Sequence, residues 1–246
     1  MASTMTPDST VLFCSAVTPD RYGKAREHEA AAENALMTEH LVHFLSKHPV
    51  AQLVFLSSTS LYGPQPPDPI RESSPVNPDR PYAKNKLENE YRLTDCGQRQ
   101  GFAVLHARIS LLYGPGDRHN FYGPLQFFHS ALKERCIYLF GQGEDRRDFL
   151  YIEDMAAALF KLIELKAHGV YLLTPGQSLS FAELAKKVSC LLPYPVELKS
   201  MPRQIPLCHH HFDNTRLCSA LGADFRFTVL DEGLKKLWKW IQMGVQ

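Results

Sequence analysis

Leu53-Val-Phe-Leu-Ser-Ser-Thr-Ser60 is the stretch on which the fold turns. Four apolar residues run straight into four hydroxyl residues, as in a strand buried on both faces that ends in a loop. A comparable run, Val11-Leu-Phe-Cys-Ser-Ala16, lies upstream, and Phe102-Ala-Val-Leu105 begins a third downstream. Helical spacing fills both gaps. Met37, Leu41, Phe44 and Leu45 share one stripe in the first. In the second, Asp79 as a cap and Pro81 in the first turn announce a helix running to about residue 98. Strand, helix, strand, helix, strand implies a parallel sheet with helices on both faces, an α/β fold.

Beyond Tyr113 the texture changes. Gly114-Pro-Gly116, Gly123-Pro124 and Gly141-Gln-Gly143 punctuate short segments. Helices are expected at residues 154–165, 181–192 and 230–241, with a strand around Val170-Tyr-Leu-Leu173. Leu230, Leu234, Leu237, Trp238 and Ile241 lie on one face of the last helix, which should dock on the core. The reading is a sheet domain over residues 10–115 and a smaller mixed α/β substrate lobe over 116–246, with interleaved segments returning to the sheet.

Composition narrows the function classes. With 27 Lys+Arg against 26 Asp+Glu, the chain lacks the cationic excess that nucleic-acid binding needs. No apolar run approaches the roughly 18 residues of a membrane span, and the first residues lack the apolar stretch of a secretory signal. Six scattered cysteines without Cys-x-x-Cys spacing read as reduced thiols in a cytoplasmic protein. His209-His-His211 lacks a second ligand cluster at zinc spacing, so no metal site is expected.

The chemistry centres on Tyr82-Ala-Lys-Asn-Lys86. Positions i and i+4 share a helix face, so Tyr82 and Lys86 can enter one cleft, although an unrelated surface pair would show the same spacing. A free phenol is a poor base at neutral pH, and a neighbouring ammonium favours its ionised form. Such a pair can take a proton from a substrate hydroxyl while hydride leaves the same carbon. Ser58 ends a buried strand 24 residues before Tyr82, where α/β sheets open their ligand crevice. Its hydroxyl could bind the reacting oxygen, or residues 57–60 could simply satisfy loop backbone.

In this order the motifs resemble the extended short-chain dehydrogenase/reductases, the NAD-dependent epimerase/dehydratase group that acts mostly on nucleotide sugars. The resemblance rests on Phe55-Leu-Ser-Ser-Thr-Ser-Leu-Tyr-Gly63, Pro81-Tyr-Ala-Lys-Asn-Lys-Leu87, Arg108-Ile-Ser-Leu-Leu-Tyr-Gly-Pro-Gly116, Gly141-Gln-Gly143 and Arg147-Asp-Phe-Leu-Tyr-Ile-Glu-Asp154. It continues through Asp213-Asn-Thr-Arg-Leu217, Leu221-Gly222 and Leu230-Asp-Glu-Gly-Leu234. It implies a Rossmann-like fold, with NAD or NADP as cofactor. Tyr82 would be the general acid/base, Lys86 the ligand of the nicotinamide ribose, and Ser58 the group that polarises the reacting oxygen. Ser15, Ala16 and Asn34 would join Tyr82 and Lys86 around the cofactor. Thr59 and Arg147 would join Ser58 around a sugar-like substrate, Arg147 near its phosphates unless it pairs with Asp148 or Asp154.

Three departures qualify that pattern. None of the 14 glycines forms a GxxGxxG turn, and only Gly23 precedes Gly63. Residues 11–16 resemble the family's fourth strand, so about three βα units are expected to be missing, and the sheet to be an incomplete doubly wound one. The backbone amides that cradle a dinucleotide's diphosphate would go with them, weakening cofactor affinity. A neighbourless strand at 11–16 should be covered by a second copy, a partner chain or a rearranged N-terminus, because bare apolar edges invite pairing. Second, Thr59 and Ser60 stand where family dehydratases carry acid residues, which disfavours dehydration and leaves epimerisation or carbonyl reduction. Third, Leu111 replaces an Asn that contacts the substrate diphosphate in many relatives. The alternative reading is a catalytically inactive relative serving as a binding or regulatory module.

Overall fold

The computed structural model describes residues 5–18, 27–117, 123–203 and 205–244. Four parallel strands form the main sheet in the order β1-β2-β3-β7: β1 (Thr10–Phe13), β2 (Gln52–Ser58), β3 (Ala103–Ile109) and β7 (Gly169–Leu173). β2 and β3 pair over their whole length, from Gln52 opposite Ala103 to Ser58 opposite Ile109. Helices cover both faces. Under α1 (Glu27–Leu45) and α2 (Pro81–Gln100), Val11, Phe13, Leu53 and Phe55 pack with Leu45, Leu93, Cys96 and Phe102. On the other face, Val54, Leu105, Ala107 and Leu173 pack with Ala158, Leu159 and Leu162 of α4 (Ile152–Glu164) and Leu217 and Leu221 of α6 (Thr215–Leu221). Alternate residues of each strand thus serve opposite cores, which explains the unbroken apolar runs.

The sequence-derived boundaries need small corrections. The first strand ends at Phe13, so Cys14, Ser15 and Ala16 lie in the turn beyond it. Asp79 does not cap α2: Arg80 holds the cap position with no side-chain bond, and Pro81 alone provides the start signal. Gly97 lets α2 sit close on β3, since a Cβ there would come within 2.4 Å of Val104.

β1 is an edge strand. Among the described residues nothing pairs with its outer side, so the N-terminal residues in view do not cover it. Val11 and Phe13 are half-buried, whereas Leu12 is 43% exposed on the face that α4 and α6 do not reach. The strand carries no Pro, Lys or bulge to blunt its edge.

The remaining elements build a second core. β4 (Leu111–Tyr113), β6 (Arg146–Tyr151) and β8 (Ser178–Ser180) form one small sheet, and β5 (Cys136–Phe140) with β9 (Glu197–Met201) another. Helices α3 (Pro124–Glu134), α5 (Phe181–Leu191) and α7 (Leu230–Gln242) close over them. Leu234 and Leu237 of α7 are fully buried beside Tyr113, Phe128 and Leu184. Trp238 stacks on Phe128 with centroids 5.3 Å apart. A capping box of Ser180 and Glu183 starts α5.

Candidate active site at the carboxyl end of β2

β2 delivers Ser57 and Ser58 to the carboxyl end of the sheet, and the chain turns at once into a 3-10 turn, Thr59–Tyr62. Ser58 caps that turn, its Oγ accepting from the Ser60 amide at 3.1 Å. Thr59 is buried in the turn's first position. Gly63 closes it with φ of +71°, and a Cβ at Gly63 would strike the Asn77 carbonyl at 2.1 Å. Glycine is therefore required on both steric and conformational grounds.

Tyr82 and Lys86 occupy the first turns of α2, on the side that faces β2. Lys86 is 4% exposed, and its Nζ donates to the Leu56 carbonyl at 2.7 Å. Nζ lies 4.6 Å from the centroid of the Phe55 ring and 5.8 Å from that of Tyr82. Tyr82 is half-buried. Neither side chain lies in bulk solvent, as a surface pair would. One turn further, Glu90 meets Arg108 of β3 in a buried bidentate ion pair, Nε–Oε1 3.0 Å and Nη2–Oε2 2.7 Å. Arg108 Nη1 also donates to the Tyr62 hydroxyl at 2.8 Å. Burial alone would disfavour the guanidinium, but the hydrogen bonds and charge of Glu90 hold its pKa above the ordinary value. Glu90 extends the Tyr82, Lys86 face by one more i+4 step, a signal that was legible in the sequence.

Burial drives the Lys86 ammonium down from 10.5 to about 8, opposed by the Cys14 thiol and by Glu90. The unfolded chain therefore holds the Lys86 proton more tightly than the folded one. Stability should rise with pH between about 8 and 10.5, the penalty being full below that window and absent above it. The gain is at most about 3 kcal/mol. Urea unfolding at pH 7 and pH 10 should show wild type gaining on Lys86→Met; an unchanged difference would refute this.

The other sequence candidates lie around this centre. Ser15 is exposed and Ala16 half-buried, just past β1. Asn34 is buried, and its amide is spent on Val17, Oδ1 accepting from N at 2.7 Å and Nδ2 donating to O at 2.8 Å. Asn34 thus shapes the turn beyond β1. Arg147 forms no ion pair with Asp148 or Asp154. It is half-buried, and its Nη1 donates to the carbonyls of Arg146 at 2.8 Å and Cys208 at 2.6 Å. Asp148, its neighbour on β6, points the other way and accepts from the Gln177 amide at 2.8 Å; burial pushes its carboxyl up to about 7. Asp154 accepts from Thr228 N and Oγ1. Sequence reasoning passed over Arg203, which pairs with Asp145 at 2.7 Å and Glu144 at 2.6 Å near the Arg147 segment.

Two observations test the fit of a nicotinamide dinucleotide. Lys86 makes one hydrogen bond among the described residues, which leaves ammonium protons for ribose hydroxyls. Ser57 Oγ, on the face of β2 that carries Phe55, is buried without a partner. The nicotinamide-ribose end therefore fits. For the diphosphate end the residues of this chain offer no such group, since none of the 14 glycines forms a GxxGxxG turn. Among the described residues no cluster of His, Cys, Asp or Glu could hold a metal ion. Nor is any helix there long and apolar enough to cross a membrane. All six cysteines are free thiols.

Comparison with known proteins agrees with this architecture. A dTDP-glucose 4,6-dehydratase of Streptomyces niveus is 28% identical over 215 residues, covering 84% of this chain and 62% of its own length. A UDP-glucose 4-epimerase of Mycolicibacterium smegmatis is 29% identical over 211 residues, covering 84% of this chain and 67% of its own. The chain thus spans about three-fifths to two-thirds of these relatives. Among solved structures, the UDP-N-acetylglucosamine 4-epimerase of Methanobrevibacter ruminantium M1 superposes with a TM-score of 0.86 at 22% identity, covering 96% of this chain and 77% of that one. That likeness establishes the Rossmann-like fold. The sequence profile of the NAD dependent epimerase/dehydratase family matches residues 2–173, well over half the chain, and by that match the protein belongs to this family.

Proposed function

We propose that the chain carries the reacting centre of an NAD(P)-dependent epimerase or carbonyl reductase acting on a sugar or nucleotide sugar. The observation that carries the reading is the Lys86 ammonium, buried beside the Tyr82 ring and hydrogen-bonded to the end of β2. Tyr82 accepts the proton of the reacting hydroxyl and returns it when the carbonyl is reduced. Lys86 holds the ribose and favours the ionised phenol electrostatically. Ser58 hydrogen-bonds the reacting oxygen, and Arg147 Nη2 and Nε take the substrate's anionic end. A bound nicotinamide would supply the site for hydride transfer. Thr59 and Ser60 offer no carboxyl group, which favours epimerisation or reduction over the dehydration named for the Streptomyces relative.

Calorimetry on the full chain tests the reading. Nicotinamide mononucleotide and NAD should bind this chain with similar affinity, because none of its 14 glycines forms the turn that would cradle the rest of the dinucleotide, and Lys86→Ala should weaken both about tenfold. Absence of binding to either at millimolar concentration would sink it. The exposed edge of β1 supports a further part of the proposal, that a second copy or a partner chain covers it. Light scattering on the same sample should then exceed 27.9 kDa for the chain alone, or fall to it only in Leu12→Lys; a well-behaved wild-type monomer would exclude self-association.

A further inference from the structure

The three consecutive histidines have no part in the chemistry proposed above, yet each meets a different partner. The segment alternates, with His209 and His211 exposed and His210 half-buried between buried Cys208 and Phe212. His209 Nδ1 accepts from the Arg146 amide at 3.3 Å. His211 Nδ1 lies 2.7 Å from Asp68. His210 points inward, its Nε2 lying 3.0 Å from the Gly63 carbonyl. A carbonyl only accepts, so the imidazole donates, as the neutral ring protonated on Nε2. Burial and the nearby Arg147 charge keep it neutral, lowering its pKa to about 4.

Both ends of this link are held. Gly63 terminates the 3-10 turn that Ser58 caps, and its backbone lies hard against Asn77. On the other side, His210 N donates to the Arg146 carbonyl at 3.0 Å, and its carbonyl accepts from Ser178 Oγ. Two residues back, the Cys208 amide donates to Asp145 at 2.9 Å, while its carbonyl accepts from Arg147 at 2.6 Å. A continuous path therefore runs from Ser58 through Gly63 and His210 to the backbone that orients Arg147. In the sheet-to-lobe direction the neighbouring tie is separate, where Ile70 N donates to the His211 carbonyl at 2.7 Å.

We propose that His210 is a positioning residue, whose imidazole couples the wall carrying Ser58 to the segment that orients Arg147. It thereby sets the span between the hydroxyl that meets the reacting carbon and the guanidinium that meets the anionic end of the substrate. The inference deepens the functional reading and rests on it for the substrate, whereas the coupling itself is a property of the free chain.

The two are separable by experiment. His210→Leu keeps volume without a donor; His210→Gln restores an amide donor near the reach of Nε2. Hydrogen exchange in the Leu variant should quicken about tenfold both at residues 59–63 and at 146–148, and return toward wild type in the Gln variant. UDP-glucose, which spans both ends, should lose about tenfold in affinity in the Leu variant, while inorganic pyrophosphate, which needs only the Arg147 end, changes less than threefold. Faster exchange confined to residues 208–212, equal loss for both ligands, or failure of Gln to rescue would overturn the proposal. If wild type binds no UDP-glucose, the functional reading fails and the exchange result alone judges the coupling. Should the Leu variant not fold, nitrogen NMR of wild type decides: a protected Nε2 proton supports the link, and the Nδ1-protonated tautomer refutes it.

Discussion

If the proposed function holds, Tyr82→Phe should cut turnover of UDP-glucose by about 10²–10⁴-fold and move KM little, because it removes the oxygen proposed to transfer the proton and keeps the ring. The phenylalanine ring keeps the place beside Lys86, where Nζ lies 5.8 Å from the centroid, so packing and the ammonium's environment persist. An unchanged unfolding midpoint alongside lost turnover would separate chemistry from folding. Turnover retained within threefold, followed by the anomeric proton signals of substrate and product, would remove Tyr82 as the acid/base. Lys86→Ala should instead lower both binding and rate, since the ammonium is proposed to touch the ribose as well as tune the phenol.

Arg108→Leu is expected to destabilise the fold by about 3–5 kcal/mol, the largest stability effect foreseen. The guanidinium neutralises Glu90, whose side chain is only 5% exposed, and it also satisfies the Tyr62 hydroxyl. Removing it strands a carboxylate in the core between β3 and α2, while the Tyr62 hydroxyl keeps its bond to the Arg71 carbonyl at 3.0 Å. The double replacement Arg108→Leu with Glu90→Leu should recover most of that loss, because the residual penalty then is packing rather than an unpaired charge. Denaturant unfolding of the four-member cycle gives the coupling. A loss below about 1 kcal/mol in Arg108→Leu would show that water reaches Glu90. The same substitution should raise the Lys86 pKa, since Glu90 already acts on that ammonium and would do so more strongly once unpaired.

These two predictions concern one face of one helix. Tyr82, Lys86 and Glu90 follow at i, i+4 and i+8, so the sequence suffices to place them side by side. What lies opposite them depends on strand register. Arg108 reaches Glu90 because β3 pairs with β2 from Gln52–Ala103 onward, and Lys86 is buried because the Leu56 carbonyl lies within its reach. The Arg147 segment shows the same limit. Its sequence position beside Asp148 invited an ion pair, but successive strand residues point to opposite sides, and Asp148 went to the Gln177 amide instead. Asn34, expected near the cofactor, spends its amide on the backbone of Val17, 17 residues away in the chain, a contact that no local spacing announces.

By itself, then, the amino-acid sequence determined the α/β class, the order of strands and helices, the family and the tyrosine–lysine pairing. The family rests on the likeness of its ordered motifs to known proteins; the others depend on periodicity or on neighbours within one turn, and local spacing records such relations directly. Only the tertiary structure decided that β1 ends at Phe13, that no other described residue pairs with its outer side, that Arg108 neutralises Glu90, and that His210 joins the Gly63 turn to the segment orienting Arg147. Those contacts join residues 18 to 147 positions apart, and they arise from how sheets and helices stack, which no local pattern encodes.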